Sequence, residues 1–325
     1  MDKKSLHVAN ANLSLMSSSA APRRPSAVKA APLELSKAMT VEQAFQAIAL
    51  NCIAQIQANE NGIVQTSDAE SVHQMRVGLR RLRAALAMFS YRLQCPAVLK
   101  QELDWLVAQL GPARDWDVLA SSTIGAFAAA APQEARLAEL QRAALGIARE
   151  KHDAAVAAVQ SPRYARLILR LSAWVQGCGW RDAMPQHAQR VLSAAIRKFA
   201  RHTLKHERRR LIKRGITMRG ASPAVLHRVR IAAKRCRYAA EFFESLYSDK
   251  KMSPFIAALS TLQDDLGWLN DAAVADRLLK ELPNRAEGLG YGIGFVRGCL
   301  ATRVPVDARK VWKCWKAFTS INMHF

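Results

Sequence analysis

His73-Gln74-Met75-Arg76-Val77-Gly78-Leu79-Arg80-Arg81-Leu82-Arg83 returns 154 residues later as His227-Arg228-Val229-Arg230-Ile231-Ala232-Ala233-Lys234-Arg235-Cys236-Arg237. Both follow H-x-(M/V)-R-(V/I)-x-x-(R/K)-R-x-R, and an aromatic follows each at the same distance, Phe89 and Phe243. At about 100° per residue, Arg76 and Arg80 fall within about 60° of His73 on a helical wheel. Arg83 and Arg81 flank that stripe. Met75, Leu79, Leu82, Leu86 and Phe89 lie opposite. Each segment therefore reads as an amphipathic helix with an apolar face for a core and a cationic face for something else. In the second copy His227, Arg230 and Lys234 form the stripe, Arg237 and Arg235 flank it, and Val229, Ala232, Ala233, Cys236 and Phe243 face inward.

A second block repeats further on. Leu110-Gly111-Pro112-Ala113-Arg114-Asp115-Trp116-Asp117-Val118 resembles Leu266-Gly267-Trp268-Leu269-Asn270-Asp271-Ala272-Ala273-Val274, at an offset of 156. Two ordered blocks at nearly one offset predict two copies of one helical unit. Its limits read as a first repeat over 39–160, a connecting segment over 161–184 and a second repeat over 185–325. Residues 1–38 are rich in Ser, Ala and Pro and read as a disordered, mildly basic tail.

From Thr40 onward the pattern is helical throughout, and strand-like alternation is almost absent. Thr40 with Gln43 predicts a capping box at the first helix. Breaks are expected at Pro96, Gly111-Pro112, Pro132, Pro162, Pro185, Pro223, Pro254, Pro283 and Pro305, leaving about a dozen helices. Gly78 inside the first basic helix costs about 1 kcal/mol against Ala. It either allows close packing or weakens that half. Trp312, Trp315 and Phe318 read as core residues of a last helix.

The 325 residues carry 48 Lys and Arg against 26 Asp and Glu, a formal net charge of +22. Self-repulsion of that size works against compaction, and an anionic partner would offset it. Residues 190–240 hold 16 Lys or Arg and one acid, Glu207. Within that stretch Arg197, Arg201, Lys205, Arg208 and Arg209 recur at helical spacing and read as a secondary basic surface, with a solubilising face as the plainer alternative. The six scattered cysteines show no zinc spacing and read as reduced thiols of a cytosolic protein. No secretory h-region and no run of about 18 apolar residues is present, so no membrane insertion is expected.

Like charges at i,i+4 destabilise a helix by a few tenths of a kcal/mol per pair, yet the two repeated helices accept several. That favours a site for closely spaced negative charges. Arg suits phosphate because its fork donates two parallel hydrogen bonds. His73 and His227 add donors that a phosphate chain would help protonate. Arg81 and Arg235 sit off the stripe and could instead pair with a carboxylate. The Leu-Gly-x-x-(Arg/Asn)-Asp blocks read as a Gly that ends one helix and an Asp that caps the next. A metal site there, with Asp264 and Asp265, lacks a supporting cluster.

These residues resemble the CHAD domain, the conserved-histidine α-helical domain, over about residues 40–320. The resemblance rests on the two His-x-x-Arg helices and on the blocks at Leu110 and Leu266. It implies an all-α fold of two four-helix-bundle-like repeats related by a pseudo-twofold axis. It also implies that the basic faces of both repeats bind inorganic polyphosphate, through His73, Arg76, Arg80, Arg81, Arg83, His227, Arg230, Lys234, Arg235 and Arg237, and an association with polyphosphate granules. Many members of the family carry a triphosphate-tunnel domain. No E-x-E-x-K strand motif is found here, so that domain's hydrolase activity is not carried over. No P-loop, HExxH or GxSxG motif points to catalysis, and no cofactor is expected. Nucleic acid, RNA in particular, is the alternative partner of the same surface, without a zinc finger or RRM signature to support it. A phosphate-cleaving enzyme using the paired His residues ranks last, since nothing supplies the metal clamp such chemistry needs.

Overall fold

The computed structural model describes residues 26–182, 184, 186–282 and 287–322. Twelve α-helices occupy them: α1 (Val41–Gln57), α2 (Glu60–Thr66), α3 (Ala69–Phe89), α4 (Ala97–Asp117), α5 (Gly125–Ala130), α6 (Ala135–Gln160), α7 (Pro162–Gln176), α8 (Gln186–Leu192), α9 (Ile196–Gly215), α10 (Pro223–Phe243), α11 (Asp249–Glu281) and α12 (Glu287–Ser320). No strand is present among the described residues. A single antiparallel bridge joins Thr40 to Ala195 and ties the start of α1 to that of α9.

Local signals account for several helix starts. Thr40 and Gln43 form both bonds of a capping box. The Asp68 side chain accepts from the amides of Glu70 and Ser71 at the start of α3. Pro162 and Pro223 each sit in the first turn of a helix, where a missing N–H costs least.

Other prolines do not break helices as expected. Pro112 lies inside α4 and Pro254 inside α11, and position 305 falls within α12. Each removes one backbone bond; in α4 burial outweighs that loss, since Leu106 and Leu110 before Pro112 and Ala113 and Trp116 after it all lie in the core. Pro185 and Pro283 lie outside the described residues. After α4 the chain passes through a π-helical segment, Val118–Ile124.

The helices α1, α3, α4, α6 and α7 pack on one another, as do α9, α10, α11 and α12. Residues 161–184, read as a connector, therefore carry a full helix. It buries Tyr164, Leu167, Ile168, Leu171, Trp174 and Val175.

The apolar cores join the two halves instead of dividing them. In the larger one Phe45, Phe89, Phe199 and Phe243 meet, with Phe89 4.5 Å from Phe199 and 6.5 Å from Phe243 between ring centres. Phe45 and Phe199 are separated by 154 positions, as are Phe89 and Phe243. The smaller core joins Trp116, Leu119, Leu137 and Leu140 to Leu278, Leu279, Val296 and Leu300. Trp315 and Phe318 are buried, as expected.

The tail reading needs correction from residue 26 onward. Its backbone is held by side chains of the helical body. Asn59 accepts from the Val28 amide and donates to its carbonyl, both at 2.9 Å. Asn51 donates to the Ala31 carbonyl. Ser245 accepts from the Leu35 amide at 2.8 Å, and Leu35 is buried. Ordered backbone without helical periodicity needs such partners. The rest of that reading, residues 1–25, lies outside the described residues.

Candidate polyanion site

The α3 stripe carries His73, Arg76 and Arg80, and the α10 stripe carries His227, Arg230 and Lys234. The two helices pack side by side. Arg76 and Arg230 lie within electrostatic reach of one another, and Arg80 acts on both Arg230 and Lys234. The cations of the two helices therefore share one field.

Burial is the first cause of the shifted protonation here. Burial, then Arg80 and Arg230, push the Lys234 ammonium down to about 6. Burial and Arg114 push the His73 imidazole down to about 4, against the opposing pull of Glu70. Arg76 and Arg230 are lowered by burial as well, with Asp115 and Asp271 opposing.

The acids of the second repeated block are not helix caps. Both lie within or beside the site, on helices that run straight through: Asp115 is 3.8 Å from Arg76, and Asp271 is 3.9 Å from Arg230. Asp115 is shared with Arg277 of α11, also at 3.8 Å. These are long pairs. Among the described residues no carboxylate pairs with Arg80 or Lys234. Nε and Nη1 of Arg76, Nε of Arg80 and Nε of Arg230 are buried and have no hydrogen-bond partner. Positive charge is thus in excess, and donors are in excess of acceptors. No group of three His, Cys, Asp or Glu among the described residues is placed to hold a metal.

Gly111 does not end a helix either. A Cβ there would stand 3.1 Å from Nη1 of Arg76, so the glycine leaves room for the guanidinium. Gly78 serves packing. A Cβ on it would meet Ile56 Cγ1 at 2.9 Å and the Cys52 carbonyl oxygen at 3.3 Å, so α1 lies directly on α3 at that point.

Four of the ten expected ligand residues are engaged elsewhere. Arg81 is 6% exposed; Nη1 donates to Gln55 Oε1 at 2.9 Å, and its guanidinium lies 5.4 Å from the Phe242 ring centre. Arg235 donates to buried Glu207 at 2.8 Å. Arg83 pairs with Asp104 at 2.9 Å, and Arg237 with Glu241 at 3.3 Å. The cause is angular. All four leave their helix off the central stripe: Arg81, Arg83 and Arg235 reach α1, α4 and α9, and Arg237 pairs one turn along its own helix. His227 is exposed, and its Nδ1 donates to Asn270 Oδ1 at 3.0 Å.

Of the secondary surface, Arg197, Arg201, Lys205 and Arg209 are exposed on α9. Arg208 instead donates to the Ile321 carbonyl at 2.9 Å. Arg114 was missed by sequence reasoning: it pairs with Asp117 at 2.9 Å and acts on His73 and Arg76. Its place in the repeated block, opposite Asn270, was the available signal.

A family profile described as CHAD domain matches residues 47–280. The chain belongs to the CHAD domain family. It is similar to the crystal structure of the CHAD domain from the plant Ricinus communis, with 36% identity and a TM-score of 0.81 over 91% of this chain and 98% of that one. PptA from Streptomyces chartreusis is similar in fold, with 15% identity and a TM-score of 0.64 over 86% of this chain and 100% of that one. A search of curated proteins finds no match. No helix of this CHAD domain, among the described residues, is long and apolar enough to cross a membrane.

Proposed function

We propose that this CHAD domain binds inorganic polyphosphate without altering it chemically, with Arg76, Arg80, Arg230 and Lys234 as the central contacts. One observation carries this: cations of α3 and α10 converge on one field with too few carboxylates to offset them. A phosphate chain supplies both what the site lacks, closely spaced negative charge, and acceptors for guanidinium donors. The resemblance to the family points the same way. The assignment as a binder and not an enzyme follows the absence of a catalytic motif in the sequence. Such a protein would sit where polyphosphate collects, in the cytoplasm and at polyphosphate granules, which co-sedimentation with isolated granules would test.

The partner is tested by competition. Polyphosphate has no bases to read, and the four central contacts are all cationic side chains, with none of the aromatic rings whose stacking contributes about 1 to 3 kcal/mol per base in single-stranded nucleic acid binding. Long-chain polyphosphate is expected to displace labelled RNA at a far lower phosphate concentration than RNA needs to displace polyphosphate. The reverse order would assign the surface to nucleic acid.

A further inference from the structure

Helix α9 carries its basic residues in register. Arg197, Arg201, Lys205, Arg209 and Lys213 are each four positions apart, and so are Lys198, His202, His206, Arg210 and Arg214. Residues at that spacing form adjacent ridges along a helix, each step rising about 6 Å, so each row runs about 24 Å. All five members of the first row are exposed, as are Lys198, His202 and His206 of the second. The rings of His202 and His206 stack at 6.5 Å. The opposite side of α9 is the core face, with Ile196, Ala200, Leu204 and Leu211 buried.

No acid interrupts the two rows. The single acid of the helix, Glu207, is buried and bonded to Arg235. Among the described residues no carboxylate forms an ion pair with any member of the first row. Four successive like-charged i,i+4 pairs in that row work against the helix, which the buried face holds in place. The second row leads back toward the central site. Arg210 is half-buried and lies in the field of Arg235 and Arg214, with burial the first cause of its lowered pKa. Arg214 donates to the carbonyl of Arg228 on α10, the helix that carries Arg230 and Lys234.

We infer that the exposed face of α9 is a second track for a polyphosphate chain, joined to the central site where α9 packs on α10 at Arg214, so that long chains occupy both and short chains only the centre. This rests on the proposed function and adds a chain-length dependence to it. The choice of a chain without bases follows the proposed ligand of the central site; the eight exposed members of the face are all Arg, Lys or His. A chain anchored centrally meets the track at high effective concentration, so each further contact adds affinity without a second bimolecular step.

The test compares tripolyphosphate with long-chain polyphosphate on the full-length protein and three variants. Arg201→Gln with Lys205→Gln and Arg209→Gln removes three charges and keeps good helix formers; far-UV circular dichroism checks the fold. This variant is expected to bind tripolyphosphate within twofold of wild type and to lose at least about tenfold on long chains. Its dependence of log affinity on log salt should flatten by about 2 for long chains. Arg201→Lys with Lys205→Arg and Arg209→Lys keeps the charges and should keep long-chain affinity. Arg76→Gln with Arg230→Gln should lose both ligands. Unchanged long-chain binding by the triple Gln variant would overturn the inference, as would an equal loss on tripolyphosphate. Loss of RNA binding alone would assign the track to nucleic acid and overturn it too. A wild-type protein that binds neither polyphosphate would instead sink the proposed function itself.

Discussion

Lys234 of α10 lies in the field of Arg80 of α3, and among the described residues no carboxylate pairs with either. A second positive charge beside Arg80 in this half-buried seam is unfavourable until an anion arrives. That relationship between α3 and α10 underlies each ligand effect expected below.

Binding should take up protons. In the free protein burial, Arg80 and Arg230 push Lys234 down to about 6, so it is largely neutral at pH 7.5. A bound polyanion favours the charged form and raises that value. Protons are then taken up in the window between the free and bound values, and affinity rises as pH falls through it toward 6. His73, pushed down to about 4, has the same sign at lower pH. Calorimetry at pH 7.5 in buffers of different ionisation heat should report net uptake, and Lys234→Arg should abolish most of it. Proton release, or no exchange, would contradict this.

Arginines should matter more than histidines. Arg76→Ala with Arg230→Ala removes two forked donors at the seam. His73→Ala with His227→Ala removes one ring that is neutral at pH 7 and one already bonded to Asn270. The Arg pair should weaken polyphosphate binding more in matched titrations. Equal or reversed losses would refute the ranking.

Glu207 is 2% exposed and bonded to Arg235. Glu207→Ala should cost about 3 to 5 kcal/mol of stability, as expected when one partner of a buried ion pair is removed. Urea unfolding measures it. A loss below about 1 kcal/mol would show the pair to behave as an exposed one.

Gly78→Ala should destabilise the protein although alanine is the better helix former. The added methyl meets Ile56 Cγ1 at 2.9 Å and the backbone of α1 at 3.3 Å. Overpacking of this kind costs about 1 to 3 kcal/mol, against about 1 kcal/mol gained in propensity. A raised melting temperature would show that α1 yields.

The helical class and the two cationic stripes were legible in the sequence because a helix repeats its faces every few residues, and the stripe residues need only their own helix to be placed. The fates of Arg81 and Arg235 were not legible, since Gln55 and Glu207 come from other helices that local periodicity does not identify. Asp115 and Asp271 looked like caps because glycine and proline stand before Asp115 and glycine before Asp271. Only the packing shows α4 and α11 running on through those positions. Residues 26–38 lack periodicity, yet Asn59, Asn51 and Ser245 hold their backbone from a distance in sequence.

The most direct measurement is a crystal structure of the protein with polyphosphate bound. The account predicts one continuous chain whose phosphate oxygens contact Arg76 or Arg80 from α3 and Arg230 or Lys234 from α10. A chain seated wholly on one repeat, or on a surface that leaves these four side chains untouched, would contradict it.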